Sequence, residues 1–352
     1  MQILIFTCTI LAVLLTVLPL SKQRHWMVRS LAFPRLQILI FITSLLFAIL
    51  FFVDLPFPLN LMLISANALC IIWQLWWILP YTPLWKKEVK SCEEGDPRRN
   101  LSIITSNVLT SNRNAKALTE LVNQYQPDIL ITLESDEWWE KQLEVLESDM
   151  PFTVKCPLDN LYGMHLYSKL RLHDPEISFL IEKDVPSIHV SVELRTGDMI
   201  RAHFVHPAPP SPTENTESIE RDAELVVVAR SVSKSNQPEL VTGDLNDVGW
   251  SSTTRLFCKI SGLLDPRVGR GMFNTFNAKY RLIRWPLDHL FHSDHFTLRS
   301  IRRLPSIGSD HFPLFTSLAF TPVNGASQEG LEAESEDYNR TNEIIEEKND
   351  GV

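Results

Sequence analysis

The stretch Glu239-Leu240-Val241-Thr242-Gly243-Asp244-Leu245-Asn246-Asp247 passes from an apolar, strand-forming run through a glycine into polar residues. This is the pattern of a buried strand that delivers carboxylate and amide side chains to a rim. A second short motif, Ser309-Asp310-His311, stands before Phe312-Pro313-Leu314-Phe315. If the two strand ends meet, Asp244, Asn246, Asp310 and His311 fall into one site. Singly, each motif is no more than turn chemistry, because Asp and Asn hydrogen-bond their own backbone and tolerate tight conformations. Together they hold what metal-assisted phosphoester hydrolysis requires: carboxylate oxygens for a hard cation, a base for water, and charge for a departing phosphate oxygen.

Working outward, further apolar runs end on polar residues. Leu101 to Ser106 leads to Asn107, Asp128 to Leu133 leads to Glu134, and Met199 to Val205 leads to His206 before a proline-rich turn. Pro286-Leu287-Asp288-His289 marks another polar-to-apolar transition. His203 competes with His206, and position at a strand's exit favours His206. Asp136, Glu137 and Glu140 read as a helix start with favourable negative charge in its first turn. His289, His292 and His295 read as surface residues. Thiol-rich metal spacing is absent from the sequence, which disfavours structural zinc. Strand-like and helical stretches alternate, and the expected fold class is α/β, a two-layer β-sandwich flanked by helices.

Taken in order, Asn107, Glu134, His206, Asp244 with Asn246, Asp288 and Asp310-His311 resemble the motif set of the endonuclease/exonuclease/phosphatase superfamily, over about residues 101–320. Trp138-Trp139, Tyr162-Gly163-Met164, His206-Pro207-Ala208-Pro209-Pro210 and the run from Gly243 to Leu264 are similar to a bacterial membrane-anchored branch. The resemblance implies that Glu134 is the principal metal carboxylate, with Asn107 and Asp310 completing the surroundings of a Mg2+ or Mn2+ ion. It implies that Asp244 orients or deprotonates water, that Asn246 holds the phosphate or the nucleophile, and that His206 and His311 donate to non-bridging oxygens. Asp288 would then fix the working tautomer of His311. Positioning and electrostatics suffice for phosphoryl chemistry, so no covalent nucleophile is required. The leading expectation is a phosphodiesterase acting near the bilayer on a phospholipid-type or other phosphorylated substrate. A nuclease using the same residues is the alternative, and a catalytically idle scaffold is disfavoured by the complete motif set.

Residues 1–85 form the expected membrane anchor. Met1 to Leu20, Leu36 to Val53 and about Leu55 to Leu79 are apolar stretches near the length that spans a bilayer. The first has neither the basic start nor the small-residue cleavage pattern of a secretory signal. Trp73, Trp76, Trp77, Tyr81 and Trp85 suit an interfacial belt. Lys22, Arg24, Arg29 and Arg35 lie in the first connector and Lys86, Lys87 and Lys90 follow the third span, whereas the second connector, near Asp54 to Pro58, carries no Lys or Arg. Positive residues favour the cytoplasmic side, so the catalytic domain is expected there, a multi-pass protein of the bacterial inner membrane.

A tether (86–100), the catalytic domain (101–320) and an acidic, disordered tail (321–352) complete the expected organisation. The formal net charge of -9 divides into +5 for residues 1–90, -7 for 91–320 and -7 for 321–352. An acidic soluble part is poorly suited to strong non-specific nucleic-acid binding. Basic residues nevertheless crowd between Arg255 and Arg303 with only Asp265, Asp288 and Asp294 as acids, which would hold an anion if that segment borders the rim. Cys92, Cys156 and Cys258 form no disulfide framework by spacing.

Overall fold

The computed structural model describes residues 2–52, 56–92, 95–321 and 328–350. Met1, Val53, Asp54 and Leu55 at the ends of the expected spans and in the second connector lie outside the described residues, as do 93–94 of the tether and 322–327 and 351–352 of the tail.

The N-terminal part is helical: α1 (Gln2–Val17), the short α2 (Trp26–Ser30), α3 (Arg35–Phe52) and α4 (Phe57–Ile78). With their short continuations, Gln2–Leu20, Arg35–Phe52 and Phe57–Tyr81 are long and apolar enough to cross a membrane, with mean hydropathies of 2.7, 2.2 and 1.7. They touch along narrow stripes, Ala12, Ile38, Ile42 and Cys70 in one layer and Ile5, Leu45, Ile49 and Leu63 in another. Large apolar side chains such as Ile3, Phe47, Phe51 and Leu69 face outward. Polar groups pair inside the bundle, with Asn67 Nδ2 donating to Thr9 Oγ1 at 3.2 Å and Gln74 Nε2 to Thr16 Oγ1 at 3.1 Å, as apolar surroundings demand.

The remainder is a two-layer sandwich. Its elements in order are β1 (Asn100–Asn107), α5 (Ala115–Tyr125), β2 (Ile129–Leu133), α6 (Glu137–Leu143), β3 (Phe152–Cys156), β4 (Met164–Ser168), β5 (Leu172–Ser178), β6 (Ser187–Glu193), β7 (Met199–Val205), α7 (Ile219–Val232), β8 (Glu239–Asp244), α8 (Ser252–Ser261), β9 (Asp288–His292), β10 (Phe296–Arg303), β11 (Leu314–Phe320) and α9 (Ser335–Asp350). One sheet runs β10-β11-β1-β2-β4-β3 and the other β5-β6-β7-β8-β9. Alternate apolar residues of both sheets, among them Ile103, Ile131, Val190, Phe204 and Leu240, meet in the central core. The opposite faces are covered by α5 and α6 on one side and by α7 and α8 on the other.

Parallel pairing at the middle of each sheet puts the expected site residues on one rim. β1 and β2 run parallel, so Asn107 and the residue after Leu133 emerge together. β7 and β8 run parallel too, bringing out His206 beside Asp244. β9 returns antiparallel with Asp288 opposite Asp244, and β11 starts opposite Thr105, just after His311. A hydroxyl pair, Thr105 Oγ1 and Thr242 Oγ1 at 2.7 Å, ties the two sheets beneath that rim.

Three expectations are corrected, and a fourth, on the basic run, is met in part. His289 and His292 are fully buried rather than at the surface, and His295 is half-buried against Phe320. His289 is held between Arg267 Nη2 at 2.6 Å and the carbonyl of Asp247 at 2.8 Å, a partnership that strand pairing creates. The acidic tail is not disordered over 335–350: α9 packs on α7 and α8, burying Ile344 and pairing Lys259 with Asp337 at 2.8 Å. Its charges are answered by cations of the domain, a compensation that composition does not register. The tether docks instead of hanging free, with Val89 fully buried and Cys92 N donating to Leu298 O at 2.9 Å. The basic run reaches the rim only in part. Arg267 is buried against Asp265, Arg255 lies over Trp77, and Arg284 and Arg303 stack on Phe312 beside His311.

Candidate active site

Gly243 shows why the first motif needs its glycine. A Cβ there would stand 1.8 Å from the carbonyl oxygen of Val205, so only glycine lets β8 approach β7 this closely. Immediately beyond it Asp244 becomes the hub. Its Oδ1 accepts from the backbone N–H of Asn246 at 2.9 Å. Its Oδ2 lies 3.2 Å from Asn107 Nδ2, 3.4 Å from His311 Nε2 and 3.9 Å from His206 Nε2. On the far side of the imidazole, Asp288 Oδ2 is 2.8 Å from His311 Nδ1. Asp288 thus stands where a carboxylate fixes the imidazole's tautomer and direction.

Glu134 completes the group from the other sheet. Asn107 Nδ2 donates to its Oε1 at 2.6 Å, while its Oε2 is buried without a hydrogen-bond partner. Both Glu134 (φ 56°) and Asn246 (φ 52°) adopt left-handed backbone conformations, which for a glutamate is strained and clusters at functional sites. Thr110 Oγ1, donating to the Glu134 carbonyl at 2.7 Å, helps hold that turn. Asp310 lies near enough to act electrostatically on both Glu134 and His311.

Electrostatics separate the roles. Burial pushes Glu134 up to about 7, despite the opposing Asn107 hydrogen bond. Burial also works against a charged His311, but Asp288 and Asp244 outweigh it and hold the ring up at about 10. His206 has no such support: burial takes it down to about 4, with Asp244 compensating only in part. Burial raises Asp288, countered by His311. These opposite shifts favour a charged His311 beside a neutral His206.

The donor set fits a divalent cation at Glu134. An orphaned, buried carboxylate oxygen gains a counter-charge there, and oxygen donors suit hard cations. Asp244, Asp288 and His311 also lie within 4.8 Å of one another. Their geometry is that of a hydrogen-bonded dyad against a third carboxylate, and the His311 nitrogen facing Asp288 is already engaged. Asn107 turns its NH2 between the Glu134 and Asp244 carboxylates, while its Oδ1 accepts from Leu109 N at 3.1 Å. Asn246 directs its side chain to the carbonyl of Pro207 at 3.0 Å, bracing the turn that carries His206.

All eight expected residues surround this rim. His203 is elsewhere, on the outer face of its sheet with His189 at 2.7 Å and Glu239 at 3.4 Å. Phe276, which sequence reading passed over, packs its ring on His311 at 4.8 Å, and Tyr162, singled out there without a role at the site, packs on His206 at 5.3 Å. Arg221 was passed over as well. It is fully buried on α7, pairs with Asp222 and Asp247, and donates to the Asn246 carbonyl at 3.0 Å. An arginine within a helix carries no signal of such a contact.

The profile of the endonuclease/exonuclease/phosphatase family matches residues 104–311, more than half of the chain. The chain belongs to the endonuclease/exonuclease/phosphatase family. Members of this family are typically hydrolases of phosphoester bonds that use divalent metals. Solved structures share its fold. Zebrafish (D. rerio) TDP2, solved with a single-strand DNA product, aligns with a TM-score of 0.53 at 16% identity, over 62% of this chain and 98% of that one. The human Nocturnin catalytic domain with bound sulfate gives 0.52 at 18%, over 64% and 97%. An endonuclease/exonuclease/phosphatase family protein from Bacteroides thetaiotaomicron gives 0.52 at 17%, over 65% and 98%. No curated protein matches the chain.

Proposed function

We propose that this family member is a membrane-anchored, divalent-cation-dependent phosphodiesterase acting on a phospholipid-type or other phosphorylated substrate at the bilayer surface. The observation that carries this reading is the buried, half-partnered Glu134 beside the Asp244–His311–Asp288 chain. Glu134, with Asp310 and Asn107 alongside, would hold Mg2+ or Mn2+, which when bound neutralises charge on the phosphate. Asp244 orients the attacking water and takes its proton. His311, kept charged and directed by Asp288, donates to a phosphate oxygen as negative charge builds. Neutral His206 offers a further N–H, and Asn246 positions Asp244 and the His206 turn.

A membrane-borne substrate is supported by the segment 277–284. It exposes Tyr280, Leu282 and Ile283 at 57%, 85% and 48%, between the cations Lys279, Arg281 and Arg284. At one end Ala278 N donates to the carbonyl of Asp310 at 2.6 Å; further along, the carbonyl of Leu282 accepts from Gln37, at the start of α3, at 2.9 Å. One short loop therefore connects the site to the end of the apolar helices, with the apolar and basic side chains that suit a lipid interface. Docking of the first connector supports a shared side for connector and domain, since Trp250 Nε1 donates to Ala32 O at 2.8 Å and Trp26 N to Thr216 O at 3.0 Å. The basic residues of that connector support a cytoplasmic placement of the shared side.

The nuclease reading is favoured by the guanidiniums of Arg284 and Arg303 at Phe312, beside His311, and by the DNA product bound to the zebrafish relative. A screen of the full chain in detergent micelles separates the two. Phosphatidyl lipids, single-stranded DNA and an aryl phosphodiester are compared with Mg2+, Mn2+ or chelator. The expected result is cation-dependent cleavage of lipid and aryl diester, abolished by Glu134→Gln. Strand cleavage without lipid turnover overturns the lipid reading, and full activity of Glu134→Gln overturns the assigned cation site.

A further inference from the structure

A cavity of about 470 Å³ lies where the apolar helices meet the catalytic domain, lined by residues other than the eight rim residues although Asp247 of the first motif borders it. Its volume is within the range of about 300–1,000 Å³ typical of small-molecule sites. Pro19 and Leu20 at the end of the first span, Arg35 at the start of the second, and Trp73 and Trp77 near the end of the third form one wall. The connector, the Asp247–Thr253 loop and α9 form the others.

Its charges do not cancel. Of the acids lining it, Glu343 pairs with Lys22, Glu347 with Arg24, Asp337 with Lys259 and Asp247 with Arg221, which leaves Glu336. Three arginines of the lining, Arg29, Arg35 and Arg340, have no ion pair among the described residues. Arg35 is 4% exposed, donates to Gln74 and lies over the Trp77 ring at 4.9 Å, and its buried Nε has no hydrogen-bond partner. Arg29 likewise has a buried, unpartnered Nε. Burial lowers the Arg29 pKa, and Arg221 and Arg340 lower it further, against the help of Asp222 and Asp247. Buried guanidiniums without carboxylates are costly unless an anion answers them.

We propose that this cavity binds the phosphate of an anionic glycerophospholipid, seated with its headgroup among Arg29, Arg35 and Arg340 and its chains along the apolar helices. The shared chemistry is a phosphate ester, and guanidiniums recognise it through paired N–H donors. The lipid is favoured over a soluble ester because the lining continues from these arginines onto Leu20, Trp73 and Trp77, at the ends of the spans. The proposal rests on the membrane reading of the three helices. Arg221 links the site to the catalytic loop, since it lines the cavity and also donates to Asn246 O at 3.0 Å.

Native mass spectrometry of the full chain in detergent, with phosphatidylglycerol or phosphatidylcholine added, tests this. The wild type is expected to retain phosphatidylglycerol preferentially, and Arg29→Gln/Arg340→Gln to bind it about tenfold more weakly, as loss of charge-assisted contacts implies. Arg340→Gln alone, on the partly exposed face of α9, serves if the double variant does not fold. Equal retention of both lipids by the wild type, or unchanged retention by the variants, overturns the site. Free glycerol 3-phosphate should not displace the lipid at equal concentration; displacement overturns the lipid as the occupant. Flotation with vesicles keeps the membrane reading separate: wild type and variant both float if the helices insert, whatever the headgroup result.

Discussion

At the scale of single residues, the site depends on pairs whose members have meaning only together. Asp288 and His311 form such a pair through a 2.8 Å contact. Asp288→Asn and His311→Gln are each expected to lower kcat on an aryl phosphodiester by about 10²–10⁴-fold, the range of acid–base and orienting contributions. The double variant should lose little more than either single one, because the groups act as a unit. Multiplicative losses in steady-state kinetics would show that they act separately. A second residue-scale prediction concerns stability. Glu224 on α7 is 2% exposed with an unpartnered Oε1, and burial, reinforced by Glu182, pushes it up to about 8 from an ordinary 4.5. A carboxyl with a raised folded pKa leaves stability intact below about pH 4.5 and erodes it as pH rises toward 8. Glu224→Gln should therefore raise Tm at pH 8 and barely at pH 5, by about 2–4 °C for each kcal/mol recovered in a domain of this size. Equal shifts at both values in thermal melts would refute the assignment.

At the scale of elements, α9 shows how charge composition misleads. Nine acids against two bases between Glu329 and Asp350 read as a solvated tail. Yet Lys348 reaches Glu220 at 3.2 Å, Arg230 bonds Thr341, and Ile344 is buried against α7 and α8. Ile344→Ala is expected to destabilise by about 2–5 kcal/mol, the usual cost of a truncated core aliphatic. Denaturant titration indistinguishable from wild type would mean that α9 does not dock. The strand ends, in contrast, were readable. Apolar runs closing on Asn107, Glu134, His206 and Asp244 coincide with β1, β2, β7 and β8 because a buried strand must end where its first polar side chain meets the rim.

At the scale of the whole molecule, the apolar helices and the sandwich domain share buried contacts. Tyr81 at the end of the third span donates its hydroxyl to the carbonyl of Gly249 at 2.6 Å and packs against Trp250. Gly249 cannot carry a Cβ, which would lie 2.9 Å from both the Tyr81 ring and Arg267. The aromatic residues near the end of α4 thus serve the domain contact as well as any interface. With the domain held to the connector side, it should be protected from protease added to intact cells, and ready digestion would reverse the orientation. Chelator should abolish turnover of the full chain, and Mg2+ or Mn2+ should restore it; undiminished turnover in chelator would remove the cation from the mechanism.

The sequence by itself determined the α/β sandwich, the family and the three apolar helices, and it pointed to strand ends that meet at one rim, because period, strand ends and polar spacing are local properties. Tertiary structure alone decided which imidazole is favoured to carry charge, since Asp288 stands 2.8 Å from His311 whereas Asp244 is 3.9 Å from His206. It also decided that His289 and His292 are buried, that the acidic tail folds back as a helix, and that unpaired arginines line a cavity beside the apolar helices. Partners distant in the chain set those outcomes, and burial makes each charge depend on the partner it meets.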